Sequence, residues 1–220
     1  MTRRRALLAR VESGGGRLPA EYQEVEYLGA TGTQYINTGF VMGLVETLKA
    51  TSVFYADSAY RNSDNPIVWL RRYDSTISND NQVDYKFPNV YQGNIEVRGY
   101  GISNNNVATV SYNTKIRMDF DYSPNNQKIY KDGTLVFTNS NAKPTTPVTK
   151  ELWLLRTNSV GDFYFHGRLY YFSIEVNGVL REYIPCYRKA DGVRGLYEIH
   201  FKQFFINAGT GVFLAGPDII

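Results

Sequence analysis

The residues able to do chemistry are few, and their spacing limits what they can do. Asp119 and Asp121 alternate along one stretch, so on a strand they would share a face. Cleaving a glycosidic bond takes two carboxyl groups facing each other across it. Two aspartates on one face beside a hairpin, without partner glutamates, read better as a solvated polar face. Nucleophilic catalysis needs a base, and the only histidines are His166 and His200. Both fall in aromatic, strand-like surroundings, and no Gly-x-Ser-x-Gly elbow presents a serine. Cys186 is the sole cysteine and follows a proline, which suits a small buried side chain better than a nucleophile. Catalysis is therefore not expected, and two histidines with one cysteine also argue against structural zinc.

Binding chemistry is better supplied. Trp69, Arg71, Arg72, Tyr73, Tyr85, Tyr91 and Arg98 flank long polar segments. Aromatic faces stack on pyranose rings and guanidinium groups hydrogen-bond hydroxyls, so these seven form the candidate carbohydrate-binding set. Asp57, Asp64, Asp74, Asn79, Asp80, Asn81 and Asp84 offer oxygen ligands of the kind calcium takes. None falls in a dense Asp-x-Asn-x-Asp-Gly run, so no ligand motif supports calcium and no cofactor is expected.

The elements that must carry these residues are short strands. Short runs with apolar residues read as strands over 22–28, 34–40, 44–55, 67–71, 95–101, 107–112, 115–122, 127–131, 134–138, 151–156 and 163–176, with clear alternation in 22–28 and 115–122. Turns are expected at 29–33, at Asn104-Asn105-Asn106 and, most clearly, at Asp132-Gly133, a preferred pair for a type I′ hairpin. Residues 73–90 read as a long polar loop. No helical period of useful length follows Gly16. With 18 Tyr and 12 Phe, the composition also favours sheets. A dozen short strands at regular turn spacing predict an all-β, two-sheet jelly-roll sandwich over residues 18–220.

Residues 1–17 stand apart as a basic arm or short helix with a Gly14-Gly15-Gly16 tether. Four arginines and one glutamate among residues 1–16 account for the whole formal charge of +3. The balanced remainder argues against nucleic acid as a partner. Arg3, Arg4, Arg5, Leu7, Leu8 and Arg10 are the candidate docking residues, since eleven residues hold a helix only against a partner surface. The apolar run Ala6-Leu7-Leu8-Ala9 is too short for a signal-peptide core, so export by that route is not expected. No apolar stretch reaches the length of a membrane span.

Two sets of residues carry a family resemblance. Near the start is Glu26-Tyr27-Leu28, then Thr31-Gly32-Thr33-Gln34-Tyr35-Ile36-Asn37-Thr38-Gly39. Near the end are Ile184-Pro185-Cys186-Tyr187-Arg188, Asp191-Gly192, Gly195-Leu196-Tyr197 and Asn207-Ala208-Gly209-Thr210-Gly211. Over residues 20–216 the chain resembles the concanavalin A-like lectin/glucanase (laminin-G-like) domains of bacteriophage structural proteins and bacterial surface proteins. The resemblance implies a sandwich whose first and last strands lie close together. The Glu-x-Asp-x-x-Glu strand of the glucanase branch is absent. The expectation is a non-enzymatic, lectin-like component of a phage or prophage virion, made in the bacterial cytoplasm. Its partners would be other virion proteins, through the arm, and cell-surface glycans; a homo-oligomer is compatible with this. The alternatives are a free carbohydrate-binding module and, behind it, a glycoside hydrolase.

Overall fold

A computed structural model describes residues 17–60, 65–67, 69–71, 84–99, 102–140, 147–158 and 163–220. The arm residues 1–16, with its docking candidates, lie outside the described residues. In chain order, β1 (Tyr22–Glu24), β2 (Leu28–Thr31), β3 (Ile36–Gly43) and β4 (Leu48–Ala56) open the fold. A 3-10 turn at Ser58–Tyr60 precedes β5 (Asn65–Pro66), β6 (Trp69–Arg71), β7 (Asp84–Tyr91), β8 (Asn94–Gly99) and β9 (Ile102–Thr109). There follow β10 (Lys115–Ser123), β11 (Asn126–Lys131), β12 (Thr134–Asn139), β13 (Val148–Leu154) and β14 (Thr157–Asn158). The chain continues through β15 (His166–Val176), β16 (Val179–Arg188), β17 (Arg194–Glu198), β18 (Gln203–Ile206) and β19 (Leu214–Ala215).

One layer is a large antiparallel sheet in the order β12-β11-β10-β4-β15-β16-β17-β18. Its alternation is strict. Leu48, Ala50, Ser52, Phe54 and Ala56 of β4 face inward with Ile116, Met118, Phe120 and Tyr122 of β10, all buried. The second layer consists of the pair β13-β3 and the sheet β14-β6-β7-β8-β9, linked by the Leu155 N–H donating to the Ile67 carbonyl at 2.9 Å. Pro88 and Val97 of this layer line a small interior gap against Ala50, Met118, Phe120 and Ile129, which marks the seam between layers. Removing a ring such as Phe54, fully buried there, would cost about 3–5 kcal/mol.

The ends meet as the resemblance implied. β2 pairs with the first half of β15 on one side and with β19 on the other, and β1 pairs with the last part of β16. The hairpin at Asp132-Gly133 has both φ angles positive, 49° and 81°, as a type I′ turn requires.

Several expected boundaries move. Residues 28–31 form a strand rather than a turn, because β15 and β19 satisfy their backbone from both sides. The strand expected over 22–28 is accordingly two, since the chain crosses there from β16 to β15. Residues 44–47 precede β4 as a loop, pinned by the Asn177 side chain, which accepts from Glu46 N and Thr47 N and donates to Leu44 O. Asn104-Asn105-Asn106 does not break a strand: β9 runs through it, paired to β8 with bulges. Cross-strand bonding there overrides the turn preference of asparagine. The polar stretch 73–90 contains β7, while 72–83 lie outside the described residues.

Candidate functional site

The pairing of β3 with β13 sets Trp153 opposite Asn37 and Leu154 opposite Ile36. Ile36, Thr38, Leu152 and Leu154 are buried, so alternation sends Tyr35, Asn37, Glu151 and Trp153 to the outer face. There the rings of Tyr35 and Trp153 lie 4.8 Å apart between centres, and Tyr164 meets Tyr35 edge-on at 6.4 Å. The Arg156 guanidinium sits over all three rings, 4.9, 5.2 and 4.7 Å from Tyr35, Trp153 and Tyr164. A backbone bridge between Arg156 and Tyr164 holds the third ring-bearing segment in place. Glu151 Oε2 accepts from Asn37 Nδ2 at 2.7 Å beside the indole of Trp153. The result is a half-exposed aromatic platform edged by an amide, a carboxylate and a guanidinium.

Its support comes from the far end of the chain. Asn207 Oδ1 accepts from Tyr35 N at 3.1 Å and Gly209 N at 2.8 Å, while Nδ2 donates to the carbonyls of Thr210 and Gly211. Ala208 N and Thr210 N donate to the carbonyls of Tyr35 and Thr33, and Gln34 Nε2 reaches Val212 O. The two motifs that carry the family resemblance therefore interlock and fix the Tyr35 backbone.

The seven sugar-site residues expected from sequence are distributed differently. β6, β7 and β8 bring Trp69, Lys86 and Arg98 into one cross-strand row, with Arg71 opposite Asp84 and Leu70 opposite Tyr85. Tyr91 closes β7 at its other end, opposite Asn94 and next to the Gln92-Gly93 turn. Arg72 and Tyr73 lie outside the described residues. The sequence reading missed Tyr35, Trp153, Arg156 and Tyr164. The available signal was Trp153, the second of two tryptophans, with an arginine three residues on.

The other reactive groups are engaged. Asp119 is held by Arg117, through Nε at 2.9 Å and Nη2 at 2.7 Å, and accepts from Thr51 Oγ1 at 2.7 Å. The carboxylate in turn pushes the Arg117 pKa up. His200 lies in a turn after β17 rather than in a strand, with Nε2 3.1 Å from Glu182 Oε2. Tyr171 donates to the other Glu182 oxygen at 2.9 Å, and its burial next to that carboxylate pushes its pKa up. Glu198 is buried and accepts from the backbone N–H groups of Glu182, His200 and Phe201, so it fixes that turn. The His166 ring packs on Gly32, where a Cβ would come within 2.0 Å of it. Cys186 is buried. Of the calcium candidates, Asp57 accepts from Ala59 N and Asp84 opens β7; Asp64, Asp74, Asn79, Asp80 and Asn81 lie outside the described residues. Among the described residues, no three His, Cys, Asp or Glu side chains cluster as a metal site, and no helix is long and apolar enough to cross a membrane.

A native heptameric SAP-like pentraxin from Limulus polyphemus superposes on this chain with a TM-score of 0.52. The match covers 90% of this chain and 97% of that one, at 9% sequence identity. The fold is a concanavalin A-like sandwich. Domains LG4–5 of the mouse laminin α1 chain give a TM-score of 0.44 at 12% identity, over 77% of this chain and 44% of that one. The chain thus spans less than half of that laminin structure. No protein-family model matches the sequence, and neither does any curated protein.

Proposed function

We propose that the chain is a non-enzymatic, lectin-like attachment module that binds surface glycans on the platform of Tyr35, Trp153 and Tyr164. The observation that carries this reading is the outward placement of three aromatic rings beside Asn37, Glu151 and Arg156. Rings take the apolar face of a pyranose, and the polar rim takes its hydroxyls. The Asn207 side chain, accepting from Tyr35 N, holds that backbone in advance, which lowers the ordering cost of binding. The row of Trp69 and Arg98 on β6 to β8 is a second place for the same chemistry.

Non-catalytic action is supported by the engagement of Asp119 and Glu198 in structural bonds. The particle setting, a phage or prophage virion assembled in the bacterial cytoplasm, rests on the sequence resemblance and on the basic arm. In this reading Arg3, Arg4, Arg5, Leu7, Leu8 and Arg10 dock on another virion protein, and the glycine tether lets the sandwich face outward. Self-association of the sandwich belongs to the same reading.

A glycan array probed with the whole chain and with Tyr35→Ala and Trp153→Ala tests the platform. Saccharide binding that both variants lose is expected; no binding, with or without calcium, would overturn it. Deleting residues 1–16 tests the anchor, and incorporation into particles should then fail.

A further inference from the structure

The other layer carries a second cluster, away from the Tyr35 platform. Register across β10, β4 and β15 sets Lys115 opposite Tyr55 and Tyr55 opposite Arg168. Opposed residues on neighbouring strands share a face. The adjacent Ile116, Phe54 and Leu169 are buried, so the row lies on the outer face. The next turn of the pattern is interrupted. Register between β15 and β4 shifts from Leu169 to Tyr171, leaving Tyr170 as the extra residue of a bulge. Bulges redirect side chains, and this one adds Tyr170 to the outer row. Lys115 Nζ lies 4.2 Å from the centre of the Tyr170 ring, and Tyr27 meets that ring edge-on at 5.5 Å.

The Arg168 guanidinium is placed between the rings of Tyr27 and Tyr55, 4.7 Å from the centre of each. Both rings are themselves held. Tyr27 lies against Gly216, where a Cβ would approach the ring to 2.7 Å, and the Tyr55 hydroxyl donates to Asn113 Oδ1 at 3.1 Å. Among the described residues, neither Lys115 nor Arg168 has a carboxylate within ion-pair distance. Two pre-ordered cations beside three tyrosines match a ligand that joins an anionic group to an apolar ring face.

We propose that the Lys115–Tyr55–Arg168 row, with Tyr27 and Tyr170, binds carboxylate-bearing sugars of an acidic polysaccharide. A guanidinium fork pairs with a planar carboxylate through two parallel bonds, and the lysine adds a point charge. The tyrosines supply ring faces and hydroxyls for the pyranose. A polyphosphate lacks the sugar's apolar face. Nucleic acid calls for a wider basic field than residues 17–220, whose formal charges balance, can supply. This site is independent of the Tyr35 platform and stands if that platform binds nothing.

Calorimetric titration of the whole chain with oligogalacturonate, and with the same oligomer after reduction of its carboxyl groups to alcohols, tests the proposal. The acidic oligomer should bind and the reduced one should not, with affinity falling between about 20 and about 200 mM salt. Arg168→Gln and Lys115→Gln should each weaken binding about tenfold, with thermal unfolding within a few degrees of the parent. Arg168→Lys, which keeps the charge and loses the fork, should fall between the parent and Arg168→Gln. No binding of the acidic oligomer, equal binding of the reduced one, or indifference to both glutamine variants would overturn the proposal. So would tighter binding of polyphosphate or a DNA oligomer in competition.

Discussion

The side chain of Asn207 holds the backbone of Tyr35, accepting its N–H at 3.1 Å across 172 positions of sequence. A terminal turn motif is thereby part of the support of the candidate glycan platform. Asn207→Ala would remove four bonds to backbone groups and should lower stability by about 2 kcal/mol. In urea unfolding the midpoint should drop, and saccharide affinity should fall even where the variant is fully folded.

Two glycines of the same region are fixed by space rather than by conformation. A Cβ on Gly195 would lie 2.0 Å from the carbonyl oxygen of Phe205, and one on Gly209 would lie 2.0 Å from that of Thr33. Neither oxygen can give way without moving a strand or turn. Alanine at either site should cost about 3 kcal/mol or more. Gly39→Ala is the control: its φ is +63° with nothing within 4 Å, so backbone strain alone should cost about 1 kcal/mol. Chemical denaturation of the three variants should separate the two effects.

Burial pushes the Cys186 thiol up to about 12. At pH 8 its thiolate is scarcer than the thiol by a factor on the order of ten thousand. Iodoacetamide should therefore leave the native protein unlabelled over hours and label it fully in denaturant. Rapid native labelling would show that β16 opens on that timescale.

Burial also lowers the His166 pKa below its ordinary 6.5, with the nearby Asp57 opposing. The unfolded chain then takes up a proton at higher pH than the folded chain. The stability tied to His166 is complete above pH 6.5 and is lost as pH falls through that value toward the folded pKa. Unfolding free energies at about pH 7.5 and pH 5 should differ less in His166→Gln than in the parent.

The strands of the sandwich were legible because they rest on local signals, whereas its closure was implied by the family resemblance. Alternation in Ile116, Met118, Phe120 and Tyr122 and the Asp132-Gly133 turn each need only neighbouring residues to be read. The platform was not legible, because it is a product of register. Tyr35, Trp153 and Tyr164 become neighbours only once β3 pairs with β13 and Arg156 bridges to Tyr164. Their types are also those of ordinary core residues. The sugar-site expectation followed polar loops instead, and so settled on the segment from Trp69 to Arg98. The Asn104-Asn105-Asn106 misreading has the same origin, since cross-strand bonds to β8 are invisible locally.

The pairing of β2 with β19 bears on how the molecule comes into being. Residues from Glu24 to Tyr35 have partners among residues 207–219. A chain emerging from the ribosome must therefore carry β2 unpaired until β15 has been made, and paired on one side only until Leu214 and Ala215 follow. Contacts of such separation close late and slowly. Until they do, the backbone of residues 28–31 is an open edge to which another nascent copy can add. The folding yield of this protein should thus depend on how crowded its own synthesis is, more than on the strength of its core.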